Sequence, residues 1–115
     1  MRHFVLDHLR AVKTAEELAA ENPGKVIQQE RTLRDANGNK VLDPVTGEGR
    51  RVDHAVIDRK AGTAKAYETT GENVDKSFQL EKEKRIREAG GAYIRDKETG
   101  KLVPVEGTSG VRRQK

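Results

Sequence analysis

The sequence predicts one α+β domain, α/β in the broad sense. It has an N-terminal helix, a mainly antiparallel central sheet, a second helix after the third strand, and then a further strand. Three observations predict it. Two segments carry apolar residues at helical spacing, and each ends in a strong stop signal. Short, loosely alternating runs lie between and after them, separated by turn signals rich in Gly and Asn. The chain has 115 residues, the length of one domain, with no room for a second core.

The first helix is expected from Val5 to Glu21. Val5, Leu9, Val12, Glu16 and Ala19 share a stripe, with Ala11, Ala15 and Leu18 beside it. Asn22-Pro23-Gly24 stops it. Thr14 and Glu17 offer a capping box for a shorter helix from Ala15, but one helix, bent near Thr14, is the preferred reading. Lys25 to Arg34 reads as a strand, Asp35 to Asn39 as a hairpin turn, and Lys40 to Leu42 as a short return. A loop from Asp43 to Gly49 leads into a second strand, Arg50 to Asp58. A turn at Arg59 to Gly62 leads into a third, Thr63 to Thr70. Asn73 is the expected N-cap of a helix from Val74 to Ala89, which Gly90-Gly91 ends. Ala92 to Arg95 and Lys101 to Val105 read as strands around a turn at Asp96 to Gly100. Residues Glu106 to Lys115 are expected to fray.

Composition narrows the function classes. Charged residues make up 37% of the chain and hydrophobic residues 33%, so the core is small. No apolar run approaches the ~20 residues of a membrane span, and the N-terminus lacks the apolar core of a signal peptide. Cysteine is absent, which removes disulfide scaffolds, thiol nucleophiles and Cys-ligated zinc. The net charge of +4 suits an anionic partner. Only Phe4, Tyr67, Phe78 and Tyr93 are aromatic, so contacts to phosphate should outweigh base stacking if that partner is a nucleic acid. His3, His8 and His54 form no pair with metal-ligand spacing.

The hairpin from Arg50 to Thr70 holds the chemistry. A two- or four-residue loop centred between Lys60 and Ala61 sets Asp53 opposite Glu68, on the face of Ala55, Ile57, Ala64 and Ala66. An odd-numbered turn would instead shift the register and separate the two acids. Opposed carboxylates repel and need a compensator. A divalent cation with oxygen ligands supplies one, and Mg²⁺ favours one or two carboxylates plus substrate phosphate. Lys76 and Gln79 share one face of the second helix, with Glu83 and Ile86 further along. If that helix crosses the sheet edge, Lys76 can look toward the acids.

Gly49-Arg50-Arg51-Val52-Asp53-His54, Ala66-Tyr67-Glu68-Thr69-Thr70, Asp75 to Glu83 and Ile86 to Arg95 together resemble the PD-(D/E)xK nuclease superfamily. The likeness is greatest to the small C-terminal nuclease toxin domains of contact-dependent inhibition and other polymorphic toxin systems, and it covers about Asn22 to Arg95. It implies a restriction-endonuclease-like core in which Asp53 and Glu68 are metal ligands. Val52 stands where the motif has proline, and Thr70 where it has lysine. The superfamily lets that lysine migrate to the next helix, which points to Lys76 first and Lys82 second, with Gln79 near the scissile phosphate. It also implies an acid from the first helix in the metal shell, Glu17 with Glu16 and Glu21 as alternatives, and Glu30 as an outsider. Arg50, Arg51, Lys82, Arg112 and Arg113 are expected to contact the nucleic-acid backbone. The implied function is Mg²⁺-dependent hydrolysis (Mn²⁺ or Zn²⁺ as alternatives) of phosphodiester bonds in tRNA, other RNA or DNA. The implied place is the cytoplasm of a target bacterium, with a cognate immunity protein as partner. A non-catalytic basic module that binds nucleic acid or protein is the alternative, and Thr70 at the lysine position is its best support.

Overall fold

The computed structural model describes the backbone from Arg2 to Gln114 and side chains from His8 to Gln114. The side chains of His3, Phe4 and Val5, named above, lie outside the described residues. The elements are α1 (Arg2–Glu21), β1 (Val26–Thr32), β2 (Arg51–Asp58), β3 (Thr63–Gly71), α2 (Ser77–Glu88), β4 (Tyr93–Arg95), β5 (Leu102–Pro104) and β6 (Gly110–Gln114). The main sheet has the order β1-β2-β3-β6. The β1–β2 and β2–β3 pairs are antiparallel and β3–β6 is parallel, while β4 and β5 form a separate hairpin. This is an α+β fold with a mixed, mainly antiparallel sheet.

Both faces of the sheet are covered. Ala55 and Ile57 of β2 and Ala64 and Ala66 of β3 form one buried cluster with Leu33, Ile86 of α2, Ile94 of β4 and Val103 of β5. The alternate residues His54 and Val56 are also buried. α1 packs across all four strands, with Leu18 fully buried outside the main cluster.

α1 is a single helix, as expected, but it buries a different stripe. Leu9 is 57% exposed, Val12 37%, and Glu16 and Ala19 face solvent, whereas Thr14 and Leu18 are buried with Ala11 and Ala15 half-buried beside them. The predicted stripe would have buried Glu16, an unpaired charge and so a large cost. The small residues of the neighbouring stripe let the helix approach the sheet, where Gln114 Nε2 donates to Thr14 Oγ1 at 3.2 Å.

Turns follow local chemistry. Asp35-Ala36-Asn37-Gly38-Asn39 closes on the Asp35 carboxylate, which accepts the N–H groups of Asn37 and Asn39 at 2.9 Å each. The return strand expected at Lys40 reduces to a single bridge to Arg34, because Arg34 also pairs with Tyr93. Asp43-Pro44-Val45-Thr46-Gly47 and Asp96-Lys97-Glu98-Thr99-Gly100 form the same turn twice. In each, the glycine N–H donates to the aspartate carbonyl at 2.8 Å, and the glycine takes φ of +74° or +73°. Each aspartate is 1% exposed and is clamped by an arginine. Arg85 holds Asp43 with two bonds of 2.8 Å, and Arg59 holds Asp96 at 2.9 and 3.1 Å. Those guanidiniums keep both carboxyls well below the usual carboxylate range.

Two boundaries differ from expectation. α2 begins at Ser77 rather than Val74, and Asn73 does not cap it. Arg113 Nη1 donates to the carbonyls of Gly71, Glu72 and Val74, at 3.4, 3.5 and 2.6 Å, and so keeps this segment out of the helix. Asp75 Oδ1 accepts the Ser77 N–H at 2.9 Å instead. The segment expected to fray forms β6. Arg112 lies over the Tyr67 ring and pairs with Glu21, and Gln114 reaches Thr14 and Glu17. The C-terminus of α2 is as expected. Gly91 N–H donates to the Ile86 carbonyl and Gly90 N–H to that of Arg87, the bonds of a Schellman motif.

Candidate functional site

The four-residue loop from Arg59 to Gly62 sets the β2–β3 register. Asp58 Oδ1 accepts the N–H groups of Lys60 and Ala61, and the pairs run from Asp58 opposite Thr63 to His54 opposite Tyr67. The next pair is Asp53 with Glu68. There the backbone ladder gives way to side chains. Asp53 N–H donates to Glu68 Oε2 at 3.0 Å, and Thr69 N–H donates to Asp53 Oδ2 at 2.9 Å. Each carboxylate thus satisfies the backbone of the opposite strand.

The ladder also skips this position on the other side of β2. Gln29 pairs with His54 and Arg31 with Val52, while Glu30, opposite Asp53, takes a φ of +52°. A left-handed glutamate is uncommon and marks a local distortion. Strict alternation breaks here, because Val52 joins the same buried cluster as Ala55 and Ile57. The acids therefore do not both face the apolar side as the simple pleat predicts. Glu68 is buried at 1% exposure, whereas half-buried Asp53 lines an open cleft of about 720 Å³.

That cleft runs between α1 and the end of the sheet. His8, Arg10 and Ala11 of α1 line it, with Gln29 and Glu30 of β1, Thr69, Thr70 and Gly71 of β3, and Val74 and Lys76. Lys76 immediately precedes α2, is half-buried, and donates from Nζ to Gln79 Oε1 at 3.1 Å. Asp53 and Lys76 thus share one cleft, and Gln79 lies beside Lys76.

Other expected residues go elsewhere. Glu17 accepts from Gln114, Glu21 pairs with Arg112, and Glu16 is exposed, so none of these three first-helix acids joins the pair. Arg50 was expected at a nucleic-acid surface. It is instead 8% exposed, with Nη2 2.6 Å from Glu68 Oε1 and Nε 3.4 Å from Glu83 Oε1. Arg51 is two-thirds exposed and lies 3.6 Å from Glu30, and Lys82 faces Glu48 at 3.5 Å, outside the cleft lining. Arg112 and Arg113 are engaged with Glu21 and with backbone carbonyls.

Burial pushes the Glu68 carboxyl up, opposed by Arg50, and the Asp53 charge raises it further. Burial lowers the His54 imidazole pKa against the raising effect of Asp53. His54 Nε2 meets Thr69 Oγ1 at 2.7 Å, while its buried Nδ1 has no hydrogen-bond partner among the described residues.

Sequence reasoning missed the buried Arg50–Glu83–Ser109 group behind Glu68 and the contribution of His8 and Arg10 to the cleft. Glu83 did leave a signal, because it lies three residues from Ile86 on the buried face of α2. Among the described residues, no three His, Asp or Glu side chains are grouped to hold an ion. Asp53 and Glu30 are the carboxylates among the cleft's lining residues, with Glu68 buried beside Asp53, and Mg²⁺ commonly takes only one or two from protein, with water and phosphate supplying the rest. Asp53 and Glu68 fit that share. Asp53 lines the cleft, whereas Glu68 is not among its lining residues; Glu68 Oε2 accepts the Asp53 N–H and Oε1 lies 2.6 Å from Arg50 Nη2, which leaves lone pairs on both oxygens. Comparison of the chain with family models, with curated proteins and with solved structures finds no match.

Proposed function

We propose that this domain is a metal-dependent nuclease with a restriction-endonuclease-like core, acting as the toxin domain of a bacterial competition system. One observation carries the reading. Asp53 and Glu68 interlock where the β2–β3 ladder ends, and Asp53 shares an open cleft with Lys76. The helix–three strands–helix order further supports it.

Asp53 and Glu68 would hold a divalent ion, Mg²⁺ first, with Mn²⁺ or Zn²⁺ as alternatives. Such an ion supplies polarisation of a phosphoryl oxygen and a lowered pKa of water. Lys76 brings positive charge to the phosphate from the cleft wall, and Gln79 directs its ammonium. Arg10 and His8 line the same cleft and extend the surface open to the backbone of tRNA, other RNA or DNA. Thr70 stands buried at the cleft wall where the superfamily motif has lysine, so the amine comes from Lys76. In this reading the domain acts in the cytoplasm of the target cell, and an immunity protein neutralises it. No described helix is long and apolar enough to cross a membrane.

The test incubates the protein with plasmid, total RNA and tRNA, with and without Mg²⁺, Mn²⁺ or Zn²⁺. Cleavage that needs the ion, stops with EDTA and is lost in Asp53→Ala supports the reading. Salt-sensitive retention of nucleic acid without cleavage assigns the domain to the non-catalytic binders instead. The double engagement of Glu68, by Arg50 and by the Asp53 N–H, favours that second reading.

A further inference from the structure

Behind Glu68, away from the cleft, the core holds a row of polar groups drawn from distant parts of the chain. Glu68 Oε1 lies 2.6 Å from Arg50 Nη2, and Arg50 Nε donates to Glu83 Oε1 at 3.4 Å. Ser109, just before β6, ends the row. Its N–H donates to Glu83 Oε2 at 2.5 Å and its hydroxyl to Glu83 Oε1 at 2.7 Å. All four residues are less than a tenth exposed. Apolar residues of like volume commonly serve stability as well as a buried ionic row does, so stability is a weak reason for its presence. At its other end Glu68, through Oε2, accepts the Asp53 N–H.

We propose that Glu83 is a positioning residue for the Asp53–Glu68 pair. Fixed by Ser109, it holds one side of the Arg50 guanidinium, whose other side then fixes Glu68 Oε1 and leaves Oε2 turned to Asp53. This inference rests on the nuclease reading of the pair. A guanidinium is planar and rigid, so holding it at Nε sets the direction of Nη2. Replacing Glu83 by glutamine removes the charge that shares Arg50. Arg50 is then left to Glu68 alone, and Glu68 becomes a poorer ligand. Changes to groups that orient metal ligands commonly cost 10–100-fold in affinity or activity.

The experiment titrates Mg²⁺ calorimetrically into wild type, Glu83→Gln, Ser109→Ala, Ser109→Thr, Ile86→Val and Asp53→Ala. It also measures kcat and KM on whichever nucleic acid the wild type cleaves. Glu83→Gln is expected to weaken Mg²⁺ binding about 10–100-fold and lower kcat, with KM for nucleic acid within about twofold. Ser109→Ala is expected to do the same more weakly, and Ser109→Thr to restore wild-type behaviour. Ile86→Val lies one turn along in the same core and should lower the melting temperature while leaving Mg²⁺ affinity and kcat unchanged. A folded Glu83→Gln with wild-type Mg²⁺ affinity overturns the proposal, as does an equal loss in Ile86→Val. Should Glu83→Gln fail to fold, the serine pair decides, and equal Mg²⁺ affinity in Ser109→Ala and wild type overturns it. An Asp53→Ala variant that binds Mg²⁺ and cleaves like wild type removes the nuclease reading and this inference with it. An inactive Asp53→Ala beside an unaffected Glu83→Gln removes the positioning role alone.

Discussion

Replacing Glu68 by alanine deletes a buried counter-charge as well as a candidate ligand. Arg50, 8% exposed, would lose its nearest acid, at 2.6 Å, and keep only Glu83 at 3.4 Å. Breaking a buried pair costs about 3–5 kcal/mol when the survivor is left uncompensated, and the remaining Glu83 holds the cost near 3 kcal/mol. The Asp53 N–H also loses its acceptor, adding about 1 kcal/mol, while relief of Glu68's own desolvation acts in the opposite direction. For 115 residues the unfolding entropy is about 0.24 kcal/mol/K, so a loss of about 3 kcal/mol lowers Tm by about 12 °C. Glu68→Gln keeps the volume and an acceptor, and should lower Tm by about 4–8 °C. In an Arg50→Met background, Glu68→Ala should cost about 1–2 kcal/mol less than in wild type, because the charge it would strand is gone. Thermal and urea melts followed by circular dichroism at pH 7 measure each variant. A Glu68→Ala protein within 1 kcal/mol of wild type, or an equal cost in both backgrounds, refutes the reasoning. Glu68→Gln is therefore the cleaner variant for testing catalysis.

Gly91→Ala should destabilise by about 1–3 kcal/mol, because a Cβ there would stand 2.5 Å from Ile86 Cγ2 and 3.0 Å from the Ile86 carbonyl oxygen; a urea melt measures it. Asp43 and Asp96 have folded pKa values below the usual 3.8, so their stabilisation is present above that pH and is lost as pH falls through the depressed values. Tm should thus drop between pH 4 and pH 2, and Asp96→Asn should flatten the slope; an unchanged slope would contradict the assignment. Above 4.5 the sign reverses for Glu68. Its raised pKa makes the folded state hold the proton more tightly, and stability falls as pH rises through that window. Removal of residues 107–115 should expose the β3 edge, free Glu83 from Ser109 and lower Tm sharply; a truncated chain that melts like the full one would show that β6 contributes nothing.

Elements whose determinants lie within a few residues were legible in the chain. Asn22-Pro23-Gly24 ends α1 and Gly90-Gly91 ends α2, because helix stops depend on φ restriction and on nearby carbonyls. The even loop from Arg59 to Gly62 was enough to bring Asp53 opposite Glu68, since loop length dictates hairpin register. Lys76 and Gln79 meet because helix spacing brings them together. Tertiary contacts decided the rest. Arg50 belongs to the core because Glu68 and Glu83 wait for it there, 18 and 33 residues further along. The last strand forms because β3 offers an open edge and α1 offers Thr14, Glu17 and Glu21 to its side chains. α1 turns its small-residue stripe inward and leaves the charge of Glu16 in solvent. Charge burial and edge pairing depend on groups far apart in the chain, so local composition alone cannot foretell them.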